Sequence, residues 1–225
     1  MRLLATKKLS LSLKDRLIQH GFSVVEQPFI QIEPLPINID STKDHLIFTS
    51  QNAVKIAFSN AHIRPLLEGK KYYCVGEKTK SILEENGQKV IQTAQNSAKL
   101  VDFLKKTLKN ERFSFFCGKL RRHEIEGFFQ DYQISYDIFE IYNTTLTPKA
   151  LDTTFNGILF FSPSAVSSFF KANSWKPQTQ GFCIGQTTAS VLKKFTPNYS
   201  IAKEASEAQL FLCIHNYFTR HHAEK

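Results

Sequence analysis

Leu46–Val54 reads LIFTSQNAV, and Ile158–Val166 reads ILFFSPSAV. Each is a short apolar run that ends in Ser, passes a turn residue, and continues Asn or Ser, Ala, Val. Each is followed by a second matching pair, CVGEKTKSIL from Cys74 and CIGQTTASVL from Cys183. A repeat of this length is too long for a solenoid unit and marks two related lobes. At 225 residues the chain has room for two domains of ordinary size.

Working outward, strand and helix patterns alternate. Residues 2–6 read as a strand. Leu11, Leu13, Leu17 and Ile18 give a helical face stopped by Gly21, and Phe22–Val25 is a second strand. Phe29–Leu35 is extended, because Pro34 and Pro36 forbid a helix. His45–Thr49, Lys71–Val75, Lys89–Gln92 and Arg112–Cys117 read as strands. They alternate with helices over 51–59, 77–85, a helix capped by Ser97 with Leu100, Leu104 and Leu108 on one face, and one ending near Tyr132. Ile134–Asn143 is long and extended, and 144–148 resembles a linker. Strands from Gly157, Gly181 and Tyr199 then alternate with helices from Ser164 and Thr188 and one capped by Ser206. Such alternation predicts parallel sheets covered by helices, an α/β fold. The C-terminal half lacks two strands that residues 1–33 can supply. The expected division is therefore a discontinuous lobe, 1–33 plus 149–225, an inserted lobe, 40–143, and connecting strands at 29–39 and 143–148.

Composition excludes several classes. No apolar run is long enough to span a membrane. In MRLLATKKLS, Lys7 and Lys8 interrupt any signal core, so a cytoplasmic protein is expected. Cys74, Cys117, Cys183 and Cys213 have no metal or redox spacing, and three sit in strand-like apolar runs, as core cysteines do. The seven histidines show no ligand spacing; His221 and His222 lie beside Arg220 and read as solvated, and His123, after Arg121 and Arg122, is the one of interest. The formal net charge of +9 is a solvated lysine surface or a match for a polyanion. The basic residues form no dense block, which disfavours nucleic acid. There is no GxGxxG, GxxxxGK[ST] or GxSxG, and no carboxylate or histidine cluster. No cofactor, no metal and no nucleophilic triad is expected.

Ligands of open α/β sheets bind beyond the carboxyl ends of the strands. The repeated turns belong there: Thr49, Ser50 and Asn52 after one strand, Ser162 and Ser164 after its counterpart. Gly76 with Thr79, and Gly185 with Thr187 and Thr188, follow two more. Glycine backbones and helix-end amides suit anions, although each Ser, Thr or Asn taken singly is explained by helix capping.

IFTSQNAV, VGEKT, FFCGKLRRHEI, IYNTT, FFSPSAV and IGQTTA occur in the order in which uroporphyrinogen-III synthases carry them, so residues 45–195 resemble that family. The resemblance implies two flavodoxin-like, doubly wound, mainly parallel lobes joined by a two-stranded connector, with the active-site cleft between them. It implies a monomeric, cofactor-independent lyase of porphyrin (heme) biosynthesis. That enzyme closes hydroxymethylbilane, an octacarboxylate from the preceding pathway enzyme, to uroporphyrinogen III, inverting ring D and losing water. Tyr142 matches the family tyrosine thought to face the leaving hydroxyl. Against a strand aromatic that merely packs, a phenol of pKa near 10 can lend hydrogen-bond assistance. Thr49, Ser50, Asn52, Gly76, Thr79, Gly118, Ser162, Ser164, Gly185, Thr187 and Thr188 match the binding turns. Two positions depart from the pattern: Cys117 stands where many members have Arg, leaving Arg121 and Arg122 as replacements, and Gln186 stands where Pro is usual. The alternative reading is a non-catalytic sensor that binds a tetrapyrrole or another polyanion.

Overall fold

The computed structural model describes residues 1–107 and 110–223, so Leu108 lies outside the described residues. The chain divides into two compact units, residues 1–31 with 145–225, and residues 32–144.

In the first unit, β1 (Arg2–Ala5), β2 (Ser23–Glu26), β9 (Gly157–Phe160), β10 (Gln180–Cys183) and β11 (Tyr199–Ile201) form one parallel sheet in the order β11-β10-β9-β1-β2. The second unit holds β4 (His45–Phe48), β5 (Lys71–Val75), β6 (Val90–Ala94), β7 (Phe113–Gly118) and β8 (Tyr136–Leu146). With β3 (Ile30–Pro34) at its edge, the order is β3-β8-β7-β4-β5-β6.

The repeat in the sequence equates β4 with β9 and β5 with β10. Numbered from those strands, both sheets run 3-2-1-4-5, with β1 and β2 filling in one unit the places of β7 and β8 in the other. The units are thus circular permutations of one doubly wound sheet. The first unit, taken in chain order, also reads as the flavodoxin order 2-1-3-4-5. The point where the order reverses lies between β9 and β1 in one sheet and between β4 and β7 in the other.

Helices α1 (Leu11–Gln19), α6 (Pro163–Phe169), α7 (Gln186–Leu192) and α8 (Glu207–Ala223) cover the first sheet. Helices α2 (Gln51–Ser59), α3 (Glu77–Glu85), α4 (Ser97–Thr107) and α5 (Glu124–Asp131) cover the second. Each sheet has an apolar core on both faces. Leu46, Phe48 and Phe116 pack on one side of the second sheet, and Ile47, Phe115 and Leu104 on the other. In the first, Leu3 and Leu159 face one way, Leu4 and Phe160 the other. A strand buried on both faces needs a continuous apolar run, which is why HLIF and GILF do not alternate.

Three local expectations need correction. Of the α1 face, only Leu13 and Leu17 are buried, while Leu11 and Ile18 are exposed. The Ser10 hydroxyl caps the helix by accepting the Leu13 amide at 3.2 Å, and that start points the i, i+4 pair inward. α4 is capped by Asn96, not Ser97: its Oδ1 accepts the Lys99 amide at 2.9 Å and its carbonyl accepts the Leu100 amide. The stretch 144–148, read as a linker, is strand as far as Leu146. The β-branched Thr144 and Thr145 favour it, and antiparallel bonds to the β3 segment hold it, from the Leu35 amide to the Ile141 carbonyl and from Thr147 to Phe29.

Candidate functional site

The expected binding turns all follow strands at the carboxyl edges, and the local chemistry explains their shapes. Ser50 is the N-cap of α2, with φ −146° and ψ 134°, and its Oγ accepts the Asn52 amide at 3.1 Å. Ser162 caps α6, accepting the Ala165 amide at 3.1 Å, with Pro163 at the first helical position, where its missing N–H costs nothing. Gly76 caps α3 at φ 85°, a left-handed backbone that glycine adopts without strain. Gly185 caps α7 in extended geometry, which any residue could take.

The two threonine positions then coincide. Thr79 and Thr188 are each the third helical residue, each buried, and each amide donates to the capping glycine carbonyl, at 3.0 and 3.1 Å. Those two amides are therefore spent inside the helix. Thr187, in contrast, is exposed, and Ser164 and Asn52 are half-buried.

The second unit brings its expected residues together most closely. Tyr142, on β8, is buried, and its Oη donates to Ser50 Oγ at 3.0 Å. The phenol thus joins the serine turn, although 92 residues separate them. Burial pushes its pKa above the usual phenol value, and the Ser50 hydrogen bond only partly offsets that, so the phenol is protonated at neutral pH. Gly118 seats the Tyr142 ring. It is buried at the end of β7, and a Cβ there would lie 2.5 Å from two atoms of the Tyr142 ring. The missing side chain is the seat of that ring. Ser50, Gly118 and Tyr142 meet where the strand order reverses between β4 and β7.

Arg121 does not stand free to meet a carboxylate. Its Nε donates to Glu126 Oε1 at 2.7 Å and its Nη1 to Glu140 Oε1 at 2.5 Å, with further contacts to the Gly118 and Lys119 carbonyls. It locks the turn after β7 and is almost wholly covered. Arg122 is exposed and reaches only Glu124 among the described residues, at 3.5 Å. His123 is exposed beside Glu126. Cys117 is a buried thiol pushed up to about 12 by desolvation. It carries no charge at neutral pH.

Two cations missed in the sequence lie at these edges. Lys119, exposed, follows β7, and its amide donates to the Tyr142 carbonyl at 2.9 Å, while its ammonium closes no ion pair among the described residues. Lys8, exposed and likewise without an ion pair among them, follows β1 in the first unit. Its neighbour Lys7 is held by Glu207 at 2.8 Å and lies 4.5 Å from the Phe161 ring centroid. The available signal was strand order: both lysines follow a strand that borders a reversal point. Charge is also less evenly spread than it looked. The first unit carries thirteen Lys and Arg against six Asp and Glu, and the second sixteen against fourteen. Most of the excess that suits a polyanion lies in the first unit.

Among the described residues no group of three or more His, Cys, Asp or Glu is placed to hold a metal ion. No described helix is long and apolar enough to cross a membrane.

Comparison with known proteins gives a consistent picture. Residues 12–211 match the HEM4 family model, uroporphyrinogen-III synthase HemD. A curated relative, "Porphyrin biosynthesis protein HemD" of Ruminiclostridium josui, is 24% identical across 89% of this chain. The match covers 45% of that relative, so the chain spans about half its length. The solved uroporphyrinogen-III synthetase of Helicobacter pylori superposes with TM-score 0.70 at 18% identity, covering 97% of this chain and 99% of that one. A mutant uroporphyrinogen III synthase of Thermus thermophilus gives 0.68 at 14% identity, covering 98% and 99%. At such identities the two structures establish a shared fold.

Proposed function

The chain belongs to the uroporphyrinogen-III synthase HemD family, and on that premise we propose that it closes hydroxymethylbilane to uroporphyrinogen III with loss of water. The observation that carries this reading is the family match over 12–211 together with the Tyr142–Ser50 pair at the reversal point of a doubly wound sheet.

The residues suit a reaction whose difficulty is steric. A hydroxymethylpyrrole loses its hydroxyl readily, because the pyrrole nitrogen stabilises the azafulvene cation that remains. Closure without guidance then occurs at the free position of ring D and gives the type I isomer. The type III isomer requires the substituted carbon of ring D to attack, through a spiro intermediate. The protein's contribution is to hold the chain of pyrroles in that conformation, which is catalysis by orientation.

Eight carboxylates give it handles. In the second unit, Thr49, Ser50, Asn52, Lys119 and Arg122 offer hydroxyls, an amide and cations. In the first, Ser162, Ser164, Thr187, Lys8 and the α6 and α7 N-termini do the same. Charge-assisted contacts of this kind contribute about 1.5–3 kcal/mol each before the cost of ordering. Arg121 is a positioning residue, which fixes the turn that carries Lys119. Assistance to the departing hydroxyl is assigned to the Tyr142–Ser50 pair, which is uncharged at neutral pH and joined at 3.0 Å.

The test is chromatography of the products formed when the purified chain is mixed with freshly generated hydroxymethylbilane. Predominant type III isomer is expected. Type I alone, as forms without protein, would remove the assignment, and tight product binding without turnover would point instead to a tetrapyrrole sensor.

A further inference from the structure

The contact between Tyr142 and Ser50 is directional. A serine hydroxyl has one proton to give and two lone pairs with which to accept. At Ser50 both lone pairs are engaged, by the Asn52 amide at 3.1 Å and by Tyr142 Oη at 3.0 Å. The amide can only donate. A phenol is a far stronger acid than an aliphatic alcohol, so the proton between the two oxygens is the phenol's. What remains is the proton of Ser50 itself, and no acceptor for it stands among the described hydrogen bonds. Access follows the same order: Tyr142 is 6% exposed, whereas Ser50 is half-buried at the mouth of its turn. The ring cannot swing outward freely, because it is seated on the bare backbone of Gly118 and its carbonyl is tied to the Lys119 amide.

We propose that Ser50, not Tyr142, is the group that touches the departing hydroxyl of the substrate, and that Tyr142 is a positioning residue that acts through it. The proposal rests on the synthase reading above and assigns the proton path within it. As the carbon–oxygen bond breaks, its electron pair goes to oxygen, which takes the Ser50 proton and leaves as water. The Tyr142 proton moves onto Ser50 Oγ. The substituted carbon of ring D attacks the exocyclic methylene, and the spiro intermediate then breaks its bond to the methylene that bridged rings C and D. The free α-carbon of ring D captures that methylene and gives up its one hydrogen as a proton, which returns through Ser50 to the Tyr142 oxygen. No external acid, base or oxidant is consumed. The Asn52 amide keeps Ser50 Oγ aimed throughout, so the cap of α2 doubles as the hinge pin of the relay.

The experiment uses the full chain with Ser50→Gly, Ser50→Thr, Tyr142→Phe and the Ser50→Gly/Tyr142→Phe double variant. Glycine is a tolerated N-cap, so Ser50→Gly removes the hydroxyl while sparing the helix. With hydroxymethylbilane, Ser50→Gly and Tyr142→Phe should each lower kcat by about a hundredfold with KM little changed, in the range of a single proton-transfer contribution. The double variant should be no slower than the slower single, because both residues lie on one path. Ser50→Thr, which restores the hydroxyl, should recover most of the rate. A Ser50→Gly variant with wild-type kcat, or losses that multiply in the double variant, would overturn the proposal. A second readout needs no turnover: with ¹³C-labelled tyrosine, the titration of Tyr142 should move to higher pH in Ser50→Gly, and an unmoved titration would also overturn it. If wild type makes type III isomer and Ser50→Gly is unaffected, only the relay fails. If wild type makes none, the synthase reading fails and takes the relay with it.

Discussion

Gly118 and Tyr142 illustrate how much of this protein turns on single atoms. A Cβ at Gly118 would stand 2.5 Å from the Tyr142 ring, far inside contact distance, and the ring is enclosed. Gly118→Ala is therefore expected to cost about 1–3 kcal/mol of stability, in the manner of an overpacked core. It should also cost turnover, by displacing the phenol from Ser50. Chemical denaturation alongside kcat checks both, and an alanine variant with native stability would show that the ring moves freely. Arg121 and Lys119 give a contrast on the same turn. Arg121 neutralises Glu126, which is buried, so Arg121→Met strands a carboxylate and should destabilise by about 3 kcal/mol. Lys119→Ala should leave stability unchanged and raise KM about fivefold, the equivalent of ~1 kcal/mol for an exposed charge contact. If the two variants exchanged these phenotypes, the roles assigned to them would be reversed.

At the scale of elements, β4 carries an unused titratable group at the end opposite Ser50. His45 is buried, stacked on Tyr73 at 5.6 Å between ring centroids, with Nδ1 3.1 Å from Tyr73 Oη and Nε2 3.2 Å from Glu111 Oε2. Burial lowers its pKa, and the half-exposed Glu111 pulls the other way without overcoming it; Lys71 adds to the lowering and Asp44 opposes it. A histidine whose folded pKa lies below its unfolded value binds more protons when unfolded. Stability is then fully present above the unfolded value of about 6.5 and declines as pH falls from there toward the folded pKa. Unfolding free energy should rise between pH 5 and pH 7.5, and His45→Phe should flatten that rise. An unchanged slope would place the acid sensitivity elsewhere. Nothing local in DHLIF announces this histidine, since its partners come from β5 and from the segment before β7. The elements themselves were largely readable, because apolar strands, Ser and Gly turns and amphipathic helices are local signals. What could not be read was contact across distance. The 92-residue step from Ser50 to Tyr142, the pairing of Arg121 with Glu140 and the close approach at Gly118 all depend on strand order, which the repeat hints at but does not fix. Likewise β8 runs into the expected linker, as far as Leu146, because β3 pairs with it, and a threonine pair alone does not reveal that partner.

At the scale of the whole chain, two sheets of equal order share no core residue. The clusters around Leu46 and Phe115 draw only on residues of the 32–144 unit, and those around Leu3 and Phe160 only on the other. Each has its own apolar interior, which is the requirement for independent stability. A fragment of residues 32–144 is thus expected to unfold cooperatively in denaturant with the near-ultraviolet signature of packed aromatics. A fragment of residues 1–31 should remain unfolded, since β1 needs β9 beside it. A gradual, non-cooperative response from 32–144 would mean that its core is completed by the rest of the chain. The proposed activity is the holding of a flexible polycarboxylate in one conformation. It is tested most directly by the isomer composition of the product as protein is titrated over a fixed amount of hydroxymethylbilane. If the account is right, the type I fraction falls toward zero as protein comes into excess and type III replaces it. A type I fraction that does not change with protein concentration would contradict it.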